Sequence, residues 1–188
     1  MEYYRAVMND DDRWLLSIDE TVRDPSGAVI PAPTTFVRGE RVRDPAPVRL
    51  RIRASGPAVD FDETSFGPIV ISRRFGDVVE SVASADVQRI PAVLDAPGEW
   101  EILNVTARLE CIDRDRSMIV WYPEGSTRPG PPGVGKMRVN KLVIDADAAR
   151  GHHLLRPAGW EVALVVSAVV KEAVERAGLT GVEFWPAS

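Results

Sequence analysis

The chain has 188 residues, a hydrophobic fraction of 45%, a charged fraction of 27% and a formal net charge of −5. These are the proportions of an ordinary globular protein, large enough to bury a core without a metal or disulfide to staple it. One cysteine, Cys111, excludes an internal disulfide and a cysteine-rich zinc site, and the acid excess argues against nucleic acid as a direct ligand.

The opening Met1-Glu2-Tyr3-Tyr4-Arg5 lacks a basic-then-apolar signal pattern, and no apolar run approaches bilayer length. A cytoplasmic protein without membrane contact is therefore expected. Tyr3 to Met8 reads as a first strand, Asn9-Asp10-Asp11-Asp12 as an acidic turn, and Trp14 to Ile18 as the next apolar run. From Arg23 to Pro47 the chain is rich in Pro, Gly and charge and reads as loop or irregular edge. Val48 to Ile52 alternates, with Val48, Leu50 and Ile52 on one face and Arg49, Arg51 and Arg53 on the other. That pattern predicts a half-exposed strand with an arginine-striped outer face.

Two later stretches are copies of one unit. Each has a short apolar run (Ile69-Val70-Ile71, Leu164-Val165-Val166), a serine where a helix begins (Ser72, Ser167), and apolar residues at helical spacing. Phe75, Val78, Val79 and Val82 mark one helix; Val169, Val170, Ala173 and Val174 mark the other. Each unit closes with a second apolar stretch ending in proline, Pro91 or Pro186, at the same distance from its serine. Between them lie strand candidates at Trp100 to Val105, Ala107 to Ile112, Met118 to Trp121 and Val139 to Ile144, and a Pro/Gly-crowded loop from Pro123 to Gly135. Asp145 is placed to cap a short helix through Ala149, His153 to Arg156 reads as a strand, and Gly178 as a left-handed helix cap. Many strands and few, irregularly spaced helices predict an α+β fold with a mainly antiparallel sheet. Residues 1–188 are expected to form a single domain, with 1–66 as a less recognisable N-terminal lobe and 67–188 as its core.

The chemistry-bearing residues are sparse. His152 and His153 are adjacent, and adjacent strand residues face opposite ways, so they cannot easily share an ion. Cys111 has no histidine near it in sequence and reads as a small buried hydrophobe. Asp113-Arg114-Asp115-Arg116-Ser117 reads as a turn with local Asp–Arg pairing, its interleaved arginines being wrong for a cation loop. Pro129 to Gly135, followed by Lys136, lacks the glycine spacing and the following hydroxyl of a phosphate loop, and its prolines remove the needed N–H donors. No catalytic residue, metal or cofactor is expected. The acidic elements Asp10, Asp11, Asp12 and Asp60, Asp62, Glu63 are the candidate partner-binding residues, as patches that would steer a basic partner. The tryptophans Trp14, Trp100, Trp121, Trp160 and Trp185 read mostly as core, although an exposed tryptophan commonly anchors an interface.

Several pieces, in order, resemble family eleven of the immunity proteins of bacterial polymorphic toxin systems, formerly a domain of unknown function. They are Ile69-Val70-Ile71-Ser72-Arg73-Arg74-Phe75, the run Val87 to Val93, Glu101 to Val105, Cys111 to Ser117, and Val165-Val166-Ser167 leading to Gly178 through Phe184. Tyr3-Tyr4 resembles that family's opening, whereas Val22 to Phe66 carries no such piece. The resemblance implies a cytoplasmic, non-catalytic inhibitor that binds and neutralises a cognate toxin, which could be a basic nuclease. It transfers no active-site residue. Two other readings stay open on the sequence. One is a hydrolase-like enzyme using Asp113 and Asp115, or His153 as a general base. The other is an oligomeric scaffold pairing through the Val48 to Arg53 strand.

Overall fold

The computed structural model describes residues 1–9, 13–18, 22–23, 29–30, 32–64, 67–122 and 137–188. The first elements are β1 (Tyr3–Met8), β2 (Leu15–Ile18), β3 (Val22–Arg23), β4 (Val29–Ile30), α1 (Ala32–Arg38), β5 (Val48–Ala54) and β6 (Phe61–Glu63). Then come β7 (Ile69–Ser72), α2 (Arg73–Ala83), a 3-10 turn (Ser84–Asp86), β8 (Val87–Val93), β9 (Trp100–Val105), β10 (Arg108–Leu109), β11 (Met118–Trp121) and β12 (Met137–Lys141). The chain ends with β13 (Leu154–Pro157), β14 (Leu164–Ser167), α3 (Ala168–Arg176) and β15 (Val182–Pro186). The fold is α+β, built on two mainly antiparallel sheets ordered β2-β5-β8-β9-β7-β6 and β10-β13-β14-β1-β15, with β11-β12 and β3-β4 as separate pairs. The exceptions are the parallel contacts β5–β8 and β10–β13.

The repeated unit is realised twice, and the match goes beyond the sequence pattern. In the first copy β9 lies between β7 and β8, antiparallel to both. In the second, β1 lies between β14 and β15 in the same sense. Each is a strand–helix–strand unit whose parallel strands are held apart by a third, supplied from downstream in one copy and from the start of the chain in the other. The helix starts are tied alike: Arg73 N–H donates to Glu99 O (2.9 Å), and Ala168 N–H to Glu2 O (3.0 Å). The preceding serines also match, Ser72 N–H donating to Asp60 O (2.9 Å) and Ser167 N–H to His153 O (2.8 Å).

Alternation along the strands sends side chains to different cores. Ile69, Ile71, Leu103 and Val105 of one sheet and Ala6, Leu164 and Val166 of the other enclose Phe75, Val79, Val170 and Val174 of the two helices. The opposite face of the first sheet, with Val70, Ile90 and Ile102, packs under Trp14, Phe36 and Trp100. Trp14 and Trp100 meet edge-on, their ring centroids 4.8 Å apart. The opposite face of the second sheet, with Tyr3, Leu155 and Val165, packs against Cys111, Trp160, Met137 and Val139. Strands buried on both faces explain why Ile69–Ile71 and Leu164–Val166 read as unbroken apolar runs.

Some local readings are corrected. Arg23 to Pro47 contains helix α1, with Phe36 and Val37 buried. The helix's one proline, Pro33, falls in the first helical turn, where the missing N–H costs no hydrogen bond. Ser72 caps α2 as expected, its Oγ accepting from Phe75 N–H (3.2 Å), but Ser167 makes no capping bond, and its hydroxyl meets His153 Nδ1 instead (3.0 Å). The residues after Asp145 form hydrogen-bonded turns rather than a helix, although Asp145 Oδ1 accepts from Asp147 N–H (2.9 Å) and Ala148 N–H (3.2 Å) as a cap does. Residues 1–66 share both sheets with residues 67–188, since β1 is an inner strand of one and β2, β5 and β6 belong to the other.

Candidate functional site

The acidic segment after Val59 is where the sequence pointed, and its three carboxylates have different fates. Asp60 lies just before β6 and is gripped from several sides. Ser72 Oγ donates to Oδ1 (2.7 Å), while Thr180 N–H (3.0 Å), Thr180 Oγ1 (3.1 Å) and Arg74 (3.0 Å) donate to Oδ2. Partial burial works to raise its pKa, but those bonds to the anion outweigh it and hold the carboxyl below its ordinary value. Asp62 is 1% exposed and ion-paired with the equally enclosed Arg13. Burial pushes Asp62 up to about 6, against the pull of Arg13. Glu63 is also raised by burial, opposed by the charges of Arg156 and Arg5. The three do not form the surface patch expected of them. Asp62 is corrected to an internal charge, because strand alternation turns it into the seam between β6 and the chain entering β2. Asp10, Asp11 and Asp12 lie outside the described residues.

The groups proposed for enzyme chemistry are also placed. Asp113 Oδ1 accepts from Asp115 N–H (3.1 Å) and Arg116 N–H (3.0 Å), closing the expected turn, with Arg116 3.8 Å from its other oxygen. His152 Nδ1 meets the buried Asp86 at 2.7 Å, and His153 turns to Ser167, so the two imidazoles diverge as their adjacency predicted. Asp86 also accepts from the backbone N–H groups of His153 (2.7 Å) and Leu154 (3.1 Å), tying the 3-10 turn after α2 to β13. Nothing in the sequence marked Asp86, since its partners are some 66 residues away. Cys111 is buried, and burial together with the charge of Asp145 pushes its thiol up to about 12. Among the described residues no three His, Cys, Asp or Glu side chains converge as a metal site.

The outward features are of another kind. β11 exposes Met118, Val120 and Trp121, with the Arg114 guanidinium 5.7 Å from the Trp121 ring centre. β5 exposes Arg49, Arg51 and Arg53 as the alternation predicted. It is paired with β2 along Leu50 to Ala54 and with β8 at Val48 and Arg49. β15 is an outer strand, and its Trp185 is 53% exposed. Beside it, between β15 and the end of α3, runs a groove of about 400 Å³ lined by Val174, Glu175, Leu179, Val182, Glu183 and Phe184. No described helix is long and apolar enough to cross a membrane.

An open strand edge, an adjoining groove and exposed tryptophans beside arginines are features of proteins that recognise other proteins. The chain belongs to the immunity protein family Imm11, whose sequence profile matches residues 4–188. That span takes in Val22 to Phe66, which carried no recognisable piece on its own. Membership gives the chain a toxin-neutralising immunity role. No curated protein matches the chain.

Proposed function

We propose that this protein binds a cognate toxin made by the same bacterium and neutralises it in the cytoplasm by covering a working surface, without performing chemistry on it. The family match over residues 4–188 carries the reading. Two observations support the non-catalytic part. The buried carboxylates Asp62, Asp86 and Glu161 are committed to Arg13, His152 and Arg108, each joining segments distant in sequence. One carboxylate of the proposed hydrolase pair is spent on a turn: Asp113 accepts bonds from the backbone of Asp115 and Arg116.

With a net charge of −5, the protein gains association rate toward a basic partner such as a nuclease. Within this proposal Asp10, Asp11 and Asp12 supply the steering charge. Asp60, Asp62 and Glu63 contribute by fixing the β6 edge from which Phe61 N–H reaches Thr180 O (3.1 Å), just ahead of β15. The test is co-expression in a sensitive host with the C-terminal domain of the large protein encoded beside this gene. Restored growth is the expected result; undiminished killing, with no complex on mixing the purified partners, would overturn the proposal.

A further inference from the structure

Among the described residues, the strand β15 is bonded along one side only. Asn9 N–H donates to Gly181 O (3.0 Å) and Ala187 N–H to Tyr3 O (3.0 Å), and these bonds set the phase of the β1–β15 ladder. Gly181, Glu183, Trp185 and Ala187 therefore turn their backbone groups toward β1. Val182 and Phe184 turn N–H and C=O outward, and Pro186 adds a third carbonyl. Among the described residues, no backbone group bonds to these atoms. In the first copy the equivalent strand, β8, is paired on its outer side only beyond the matching stretch, where Val48 and Arg49 pair with Ala92 and Val93. Just past the end of β15, Ile144 N–H donates to Ala187 O (2.7 Å).

We infer that the outer edge of β15 is the docking edge for the toxin, taking an extended toxin segment as an added strand in which apolar and basic residues alternate. This rests on the toxin-binding reading above and goes on to name the surface. The two sides of the edge differ in chemistry, and a strand presents alternate side chains to each. On the α3 side the added residues meet the groove formed by Val174, Leu179, Val182 and Phe184, which selects apolar side chains. At the groove's rim, where strand alternation turns them to the opposite face, they meet Glu183 and Trp185, which select a cation. Arg5 already shows that geometry from within, as the cross-strand neighbour of Trp185 with its guanidinium 5.9 Å from the ring centre. The groove residues include the carboxylates Glu175 and Glu183 and no cation, with Lys171 holding Glu175 from along the helix (2.8 Å).

The test uses the full chain and the toxin domain against which it protects a host. Amide hydrogen exchange is followed in the free protein and in the complex. The Val182 and Phe184 amides should exchange at least about tenfold more slowly in the complex. The double substitution Glu175→Lys with Glu183→Lys, at exposed positions that leave the core untouched, should weaken binding at least about tenfold. The control Glu110→Lys with Asp115→Lys should leave binding unchanged. Unaltered exchange at Val182 and Phe184 in a complex that forms and protects would overturn the β15 assignment while the immunity role stands. A free protein that is already dimeric, with those amides already protected, would overturn it too, because a second copy would then fill the edge. Absence of both protection and binding would instead sink the immunity reading on which the assignment rests.

Discussion

Asp62 offers the sharpest separation between a fold-holding charge and a partner-binding one. The Arg13 and Asp62 side chains are 4% and 1% exposed and paired with each other. Among the described residues, one carboxylate oxygen, Asp62 Oδ2, has no hydrogen-bond partner. Asp62→Ala strands the Arg13 guanidinium in the interior, and removing one member of a buried pair costs about 3–5 kcal/mol. That is a large part of the roughly 5–15 kcal/mol that holds a domain of this kind folded. The double variant Arg13→Met with Asp62→Leu removes both charges and should recover most of the loss, since apolar replacement of a buried pair is often neutral or better. Urea unfolding followed by fluorescence measures both. The pH arm is independent. Burial raises Asp62 from 3.8 to about 6, so between those values the native state holds a proton that the unfolded chain has released. The Asp62 contribution to stability is therefore greatest below about pH 4, falls by up to about 3 kcal/mol as pH rises to 6, and stays level above, while Asp60, held below its ordinary value, acts in the opposite sense at lower pH. Asp62→Asn should flatten that slope, leaving a smaller one of the same sign from Glu63, which burial also raises. If Asp62→Ala costs less than about 1 kcal/mol yet weakens toxin binding tenfold, the reasoning is refuted and Asp62 belongs to the interface.

Other expectations follow from single contacts. Tyr3→Phe removes a hydroxyl that donates to Ala149 O (2.7 Å) and His152 O (3.1 Å), and should cost about 1–2 kcal/mol in the same unfolding measurement. Ser72→Ala loses both the cap to Phe75 N–H and the bond to Asp60, so it should cost about 1–2 kcal/mol. A near-neutral result there would refute the capping account. Cys111, with its thiol pushed up to about 12, should not react with a thiol reagent at pH 8 until denaturant is added. Labelling of the native protein within minutes would contradict that.

Much of the fold was legible because its signals are local. The helix-starting serines, the 3.6-residue spacing of Phe75, Val78, Val79 and Val82, and the unbroken strand runs each report on a few neighbouring residues. What was illegible is set by partners far along the chain. The middle strands of the two units, β9 and β1, come from opposite directions in sequence, and nothing in the pattern of Tyr3–Met8 marks it as the companion of Leu164–Ser167. Asp62 looks the same in sequence whether it faces water or Arg13, 49 positions earlier. Ser167 has the sequence context of a cap, but His153 competes for its hydroxyl. The β15 edge is likewise invisible until the sheet order is known, because a strand is outer only by what fails to pair with it.

The central claim is neutralisation by binding, and the most direct measurement is a titration of the purified cognate toxin's activity with this protein. A binder is expected to remove activity linearly to an end point at one equivalent, with activity returning when the complex is separated. Progressive loss of toxin activity at a small fraction of an equivalent, or toxin that stays inactive after separation, would mean chemistry on the toxin and would contradict the account.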